Sequence, residues 1–426
     1  MSEKVNRCFL MKMLLLGFAS RLHGELYYKS MFQEVTDILS VFKDLEIHKD
    51  IITEPVTIDV NNYELIIAYL LTGGTSKLAY KVLMSTDRKP VLIIAHSKHN
   101  SLASALSLRT KLLDAGVKVK LIYFLDKNDL LMKFTRFYKG VVAGYSLKYL
   151  RIIEINDYPE TSDEGKRFAD RFGAEIIHVN YDELWRIAGE ATIDDIRELE
   201  NLVHQYIDLS GTNKQYLDKV LRIYYALRKL LSIHGANAIV IDCFPLVLKY
   251  NITPCLAVAM MNAEGIPTAC ENDYYSLVSL FISLALTGYP GWISNPSGIT
   301  SDGYLRFAHC TIAPVLGRNC FLTTHFETGN PYAVVCRFRA DKVLFIRVDK
   351  GFDGLTIYRG KVVRSGLLEP GYCRTQLIID TGTLKPEEFV EKATGNHHVF
   401  IPWSKRLIES LKHMAWWMNW RIEIRN

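Results

Sequence analysis

The chain has 426 residues, 49% of them hydrophobic and 23% charged, with a formal charge of +5. That is the composition of an ordinary globular protein long enough for two or three domains. Basic residues are scattered among acidic ones and the aromatics sit in apolar contexts, which excludes a nucleic-acid-binding stripe or a base-stacking surface.

The apolar stretch Phe9–Ala19 is preceded by Glu3 and interrupted by Lys12. It is too short to span a membrane and reads as a buried first strand, Phe9–Phe18. An amphipathic helix is expected over Tyr28–Phe42. Ile52–Val60 is extended, because Pro55 breaks any helix there. Glu64–Leu71 and Pro90–Ala95 are continuous apolar runs, as in a parallel sheet covered on both faces. Each ends in a polar loop, Thr72-Gly73-Gly74-Thr75 and His96-Ser97-Lys98-His99-Asn100-Ser101. Helices follow from Ser76 and over Leu102–Asp114, then a strand at Val117–Leu125. Strand, polar loop and helix alternate as in a doubly wound α/β domain.

A second α/β unit begins near Tyr149. Strands are expected at Leu150–Ile155, Glu175–Val179 and Ala238–Ile241, the last delivering Asp242 and Cys243. Helices are expected at Glu164–Phe172, Asp182–Glu190, Ile193–Leu209 and Gln215–His234. An apolar run from Pro254, a turn at Glu264–Pro267 and the tripeptide Glu271-Asn272-Asp273 lead into an apolar helix over Tyr275–Leu286. Two polar islands follow, Ser294-Asn295-Pro296-Ser297 and Ala308-His309-Cys310-Thr311.

After Pro314 short β-branched and aromatic segments alternate with turns: Cys320–Thr324, Tyr332–Arg339, Lys342–Val348, Gly354–Arg359, Lys361–Arg364 and Gln376–Asp380. They predict an antiparallel barrel or sandwich. Gly395–Phe400 brings two histidines on one strand, and Trp403–Trp420 is a terminal helix whose clustered tryptophans serve packing or subunit contact. The expected division is an N-terminal α/β domain (1–148), a central α/β domain carrying Glu271 (149–310) and a C-terminal β-barrel domain with the terminal helix (311–426).

Seven of the eight cysteines lie after residue 240 and none forms a C-x-x-C pair. Cys243, Cys255, Cys270, Cys310 and Cys336 sit in or beside apolar runs, as buried free thiols do, so a reducing, cytoplasmic setting is expected. Neither polar loop of the first domain is a P-loop or a G-x-G-x-x-G turn, which disfavours an NAD-linked or phosphate-transferring enzyme. Thr72–Thr75 is either a tight turn or a cradle for an anion or sugar hydroxyl. His96–Ser101 is either a solvated, helix-capping loop or a binding loop.

Carboxylate, amide and imidazole delivered at the ends of apolar segments are ligand types that hold a divalent cation such as Mn²⁺. The competing reading makes Glu271 and Asp273 helix caps and His309 a hydrogen-bonded core histidine. Four words, Cys270-Glu271-Asn272-Asp273, Ser294-Asn295-Pro296-Ser297, Ala308-His309-Cys310 and Gly395-Asn396-His397-His398-Val399-Phe400, occur in the order found in the L-fucose isomerase and L-arabinose isomerase superfamily, which this chain resembles over most of its length. The resemblance implies a metal-dependent aldose–ketose isomerase working through an enediol, with a small-molecule sugar as substrate and trimers or hexamers as the assembly. It implies Glu271 as metal ligand and acid/base, with Asn295, His309 and one of His397 and His398 completing the shell. Adjacent strand residues point to opposite faces, so only one of those two histidines can face the site. Asp273 is a catalytic candidate that would orient a ligand. Asn295 is also a substrate-binding candidate, together with His96 and Asn100 from the first domain. The chain departs from the family at Asn295, where an acid is usual. An amide carries no charge and takes no proton. Asp302 is a candidate replacement, and a non-catalytic sugar-binding relative is the alternative reading.

Overall fold

The computed structural model describes residues 11–425. The chain folds as two compact units, divided near residue 138. Residues 9 and 10 of the expected first strand lie outside the described residues; the strand itself runs Met13–Phe18 and is buried throughout. In the first unit five parallel strands lie in the order Leu45–Ile47, Met13–Phe18, Leu65–Leu70, Val91–His96, Val119–Phe124. Leu65–Leu70 and Val91–His96 are buried on both faces, which explains their unbroken apolar sequence. Helices Ser76–Met84 and Ser101–Asp114 complete the α/β alternation.

The second unit contains a four-stranded parallel sheet in the order Thr268–Cys270, Ala238–Ile241, Arg151–Ile155, Glu175–Val179. A barrel follows. Antiparallel pairing runs from Lys342–Val348 through His398–Pro402, Trp292–Ile299, Leu305–His309, Thr375–Asp380 and Gly354–Gly366, which returns to Lys342–Val348 and closes a six-stranded ring. Closure leaves no unpaired barrel edge. The α/β sheet, the barrel and helix Tyr274–Thr287 share one continuous hydrophobic core.

Several elements differ from expectation. Helix Lys127–Ser146 was not anticipated, and the run after Pro254 is a helix, Cys255–Ala263. The helix from Ile193 stops at His204, and Ile207–Asp208 instead pairs with strand Gly317–Thr324. The terminal helix is Lys405–Met418, followed by strand Arg421–Arg425 on the outside of the barrel sheet. The expected turn at Arg359-Gly360 does not exist: Gly354–Gly366 is one strand, and its glycine lets Ile379 of the neighbouring strand pack against the backbone. Cys336, read as a free thiol, forms a disulfide with Cys320. Antiparallel pairing of Gly317–Thr324 with Pro331–Phe338 sets their Cα atoms 4.2 Å apart, a register that spacing alone does not reveal. Among the described residues, no helix is long and apolar enough to cross a membrane.

A Cβ at residue 360 would collide with the Ile379 side chain. Gly360→Val is therefore expected to destabilise the second unit by ~1–3 kcal/mol through overpacking. All six tryptophans lie after residue 139, so the denaturant midpoint read by tryptophan fluorescence reports on that unit; an unchanged midpoint would contradict the packing.

Candidate metal and sugar site

The site grows out of the turn that joins strand Thr268–Cys270 to helix Tyr274–Thr287. Ligand groups in open α/β sheets gather at the carboxyl ends of strands, and this turn lies there. Glu271 and Asn272 both adopt left-handed backbone, φ +57° and +51°. Two such residues in succession are uncommon outside glycine and mark a strained turn. Only Asp273 caps the helix: its Oδ1 accepts from the Ser276 N–H at 2.9 Å, and its Oδ2 from the Ser276 hydroxyl at 2.7 Å. Glu271 is turned away from the helix and onto a cavity wall.

His397 is fully buried, and its Nδ1–H donates to Asp273 Oδ2 at 2.7 Å. Its Nε2 lies 3.4 Å from Glu271 Oε2. From the other side, His309 Nε2 lies 3.6 Å from Glu271 Oε1, while its Nδ1 meets Thr311 Oγ1 at 3.0 Å. Both imidazoles thus have Nδ1 engaged and Nε2 directed at one carboxylate. That arrangement fixes ring orientation and presents Nε2 to a cation. Burial alone would raise the Glu271 carboxyl, but hydrogen bonds and charge from His309 and His397 override it and hold it well below the usual range. Burial would likewise raise Asp273, yet His397, Arg347 and Ser276 bring it down to about 2. Burial would lower His397, but Asp273 and Glu271 raise it to about 9.

Glu271, His309 and His397 offer ligand atoms that all lie within 4.8 Å of one another, and no other His, Cys, Asp or Glu cluster among the described residues does so. Asn295, on strand Trp292–Ile299, has a buried side-chain oxygen with no hydrogen-bond partner and lines the same cavity of about 120 Å³. An orphaned amide oxygen beside a carboxylate and two oriented imidazoles is the donor set a divalent cation takes. The residues present therefore fit a metal ion.

His398 lies elsewhere. Its ring is inside the barrel, with ring centroids of Phe389, Tyr358 and Phe307 at 5.4, 5.7 and 6.0 Å. Burial, then the charge of Arg347, lowers it to about 3. Asp273 stands behind His397 rather than on the cavity wall, as a positioning residue. Asp302 does not replace the missing acid: it pairs with Arg364 at 3.0 Å on the surface. In the first unit, His96 Nε2 meets the Leu71 carbonyl at 3.2 Å and its Nδ1 accepts from the Lys98 N–H at 3.1 Å, so both ring nitrogens are engaged locally. Asn100 is exposed in left-handed backbone and makes no side-chain cap. The Thr72–Thr75 loop is a tight turn with Gly74 at φ +75° and the Thr75 hydroxyl donating back to the Thr72 carbonyl at 2.8 Å.

Three contributors were missed in the sequence. Arg347 donates to the His397 carbonyl at 2.9 Å and lies 3.7 Å from Asp273. The signal was an arginine interrupting the apolar run that follows the first residue of strand Lys342–Val348. A Cβ at Gly395 would strike its guanidinium. His325 and Glu327, on the loop after strand Gly317–Thr324, also line the cavity; no local pattern marks them. All five free cysteines among the described residues are on that wall too.

No family model matches the chain. It is similar to a protein named sulfoquinovose isomerase from Clostridium sp. (strain MSTE9), 23% identical over 241 residues, which is 54% of each chain. The chain thus matches about half the length of that curated relative.

The raised His397 gives a signed pH prediction. A proton held more tightly in the folded state contributes stability that is full below pH 6.5 and lost as pH rises through about 9. The depressed Asp273 contributes above 3.8 and loses its share as pH falls through about 2. Metal-free protein should therefore lose stability from pH 6.5 to 9, and His397→Gln should flatten that slope in thermal melts. A cation at Nε2 must expel the proton, so apparent Mn²⁺ affinity should climb about tenfold per pH unit over the same interval. A flat calorimetric affinity would contradict the arrangement.

Proposed function

We propose that the protein is a metal-dependent aldose–ketose sugar isomerase. The observation that carries the reading is the convergence of two Nδ1-anchored imidazoles on Glu271, which shares a cavity wall with His309 and the unpartnered oxygen of Asn295. Similarity to a protein named as a sugar isomerase supports the reaction class.

Isomerisation takes the proton from C2 of an aldose and returns it to C1. The hydroxyl proton of C2 passes to the C1 oxygen, so C2 is oxidised as C1 is reduced and no outside reductant is needed. Glu271, His309, His397 and Asn295 would hold the divalent ion, with Mn²⁺ as the candidate. When bound, the ion would stabilise the negative charge of the enediolate. Glu271, ionised and fixed between the imidazoles, faces the substrate. His325 and Glu327 are the other titratable groups on the wall suited to carry a proton between oxygens. Asp273 and Arg347 keep His397 in register.

The cavity wall carries carboxylates from Glu271 and Glu327 but no lysine or arginine. This supports a neutral aldose over a sulfonated one for the part of the pocket that this unit builds. His96 and Asn100 remain proposed sugar contacts of the first unit.

Glu271→Gln should lower kcat by about 10²–10⁴-fold, the range for losing a positioned acid/base group, on whichever aldose of a panel is converted with Mn²⁺. Asn295→Asp separates enzyme from binding protein. In an isomerase tuned to an amide, the added charge beside Glu271 should slow turnover. In a relative that lost its acid, wild type should convert no aldose and the substitution should tighten metal binding.

A further inference from the structure

A second cavity, of about 270 Å³, is walled by barrel strands Lys342–Val348 and Gly354–Gly366, the terminal strand Arg421–Arg425 and the segment leading to His398. Five cationic side chains line it: Arg347, Lys350, Lys392, Arg421 and Arg425. Two carboxylates, Asp349 and Glu423, share the wall, leaving a formal excess of three positive charges. Internal pairs absorb part of that excess. Arg425 holds Glu423 at 2.8 Å, Arg421 lies 3.2 Å from Asp353 and 3.7 Å from Asp349, and Lys392 reaches Glu388 at 2.8 Å. Lys350 has no carboxylate within ion-pair distance among the described residues, and Arg347 shares its one carboxylate, Asp273, with His397.

The independent observation is His398. Its imidazole is fully buried, neither ring nitrogen has a hydrogen-bond partner, and it lies on the wall of this cavity. The barrel gives it aromatic neighbours, which suit an apolar side chain. A buried imidazole with both nitrogens idle loses its hydration with nothing in return. A ligand oxygen in the cavity would satisfy the N–H. The hydroxyls of Thr356 and Thr394 on the same wall add donors without charge.

We propose that this cavity is a binding site for a phosphate group, free or carried by a small phosphomonoester. A tetrahedral dianion matches guanidinium and ammonium donors converging from several strands, with hydroxyl and imidazole donors beneath. The cavity is roomier than the four oxygens of phosphate require, which leaves space for a short polyol ester. The site is distinct from the cavity at Glu271 and does not depend on the isomerase reading. Arg347 lines this cavity and also contacts Asp273 and the His397 carbonyl, so occupancy would bear on the Asp273–His397 pair.

The test is calorimetric titration of the full chain with inorganic phosphate and with glycerol 3-phosphate, at constant ionic strength set with chloride. Wild type should bind at one site. Lys350→Ala and Lys392→Ala, both at exposed positions, should each weaken binding about tenfold, as for loss of a charged hydrogen bond. His398→Phe keeps the charge and the packing volume, so it separates a built site from a generally basic surface; it should also weaken binding several-fold. Tighter binding of the ester assigns a phosphomonoester, and equal binding assigns free phosphate; either supports the site. Glu271→Gln should bind as wild type does, so a failed isomerase assignment leaves this result readable. No binding by wild type, or undiminished binding in all three variants with unchanged melts, would overturn the proposal.

Discussion

The buried carboxylate of Asp273 is the interaction around which the second unit's site is arranged. It is removed from water, which is costly for a charge, and it is compensated from three directions. Ser276 supplies a backbone and a side-chain donor from the first turn of helix Tyr274–Thr287. His397 donates from the segment entering strand His398–Pro402, and Arg347 approaches from strand Lys342–Val348. One carboxylate therefore ties the α/β sheet's last helix to two strands of the barrel. Breaking any partner leaves a desolvated charge, so the geometry of His397 is held by a group that never reaches the cavity.

From that anchor the rest of the site follows. Asp273 can cap its helix only if the two preceding residues turn sharply, and the left-handed backbone of Glu271 and Asn272 is that turn. The turn carries the Glu271 carboxylate away from the helix and toward His309, which arrives at the end of barrel strand Leu305–His309. Adjacent strand residues diverge at His397-His398: one imidazole enters the ion-pair network, the other the aromatic barrel interior. The same two-residue step thus sets one imidazole against Glu271, on the wall of the first cavity, and the other on the wall of the second, and the two cavities differ in electrostatic character. One carries carboxylates and no lysine or arginine, the other an excess of cations. Arg347 lies between them and contacts the first through Asp273.

Much of this was legible in the residues. The unbroken apolar runs Leu65–Leu70 and Val91–His96 announced a parallel sheet because burial on both faces leaves no polar side to write into the sequence. Glu271, Asn295, His309 and the histidine pair stood out as ligand types at the ends of apolar segments that also fall in the four words shared with the isomerase superfamily. Alternation along a strand required the two histidines to part. The turn at Arg359-Gly360 misled because glycine there serves close packing against Ile379 rather than chain reversal.

What the sequence could not decide is what depends on register and distance between remote segments. Which histidine met Glu271 was set by the pairing of strand His398–Pro402 with Trp292–Ile299 and Lys342–Val348. Arg347 drew no notice within its strand, and only the closed barrel brings it to Asp273, 74 positions away in numbering. Cys336 read as a free thiol until antiparallel pairing joined it to Cys320. Local patterns determine helices, strands and which side chains are unusual, because those depend on neighbours in the chain. Ligand sets and charge compensation are decided by tertiary structure, because Coulombic and hydrogen-bonding energies depend on separations in space.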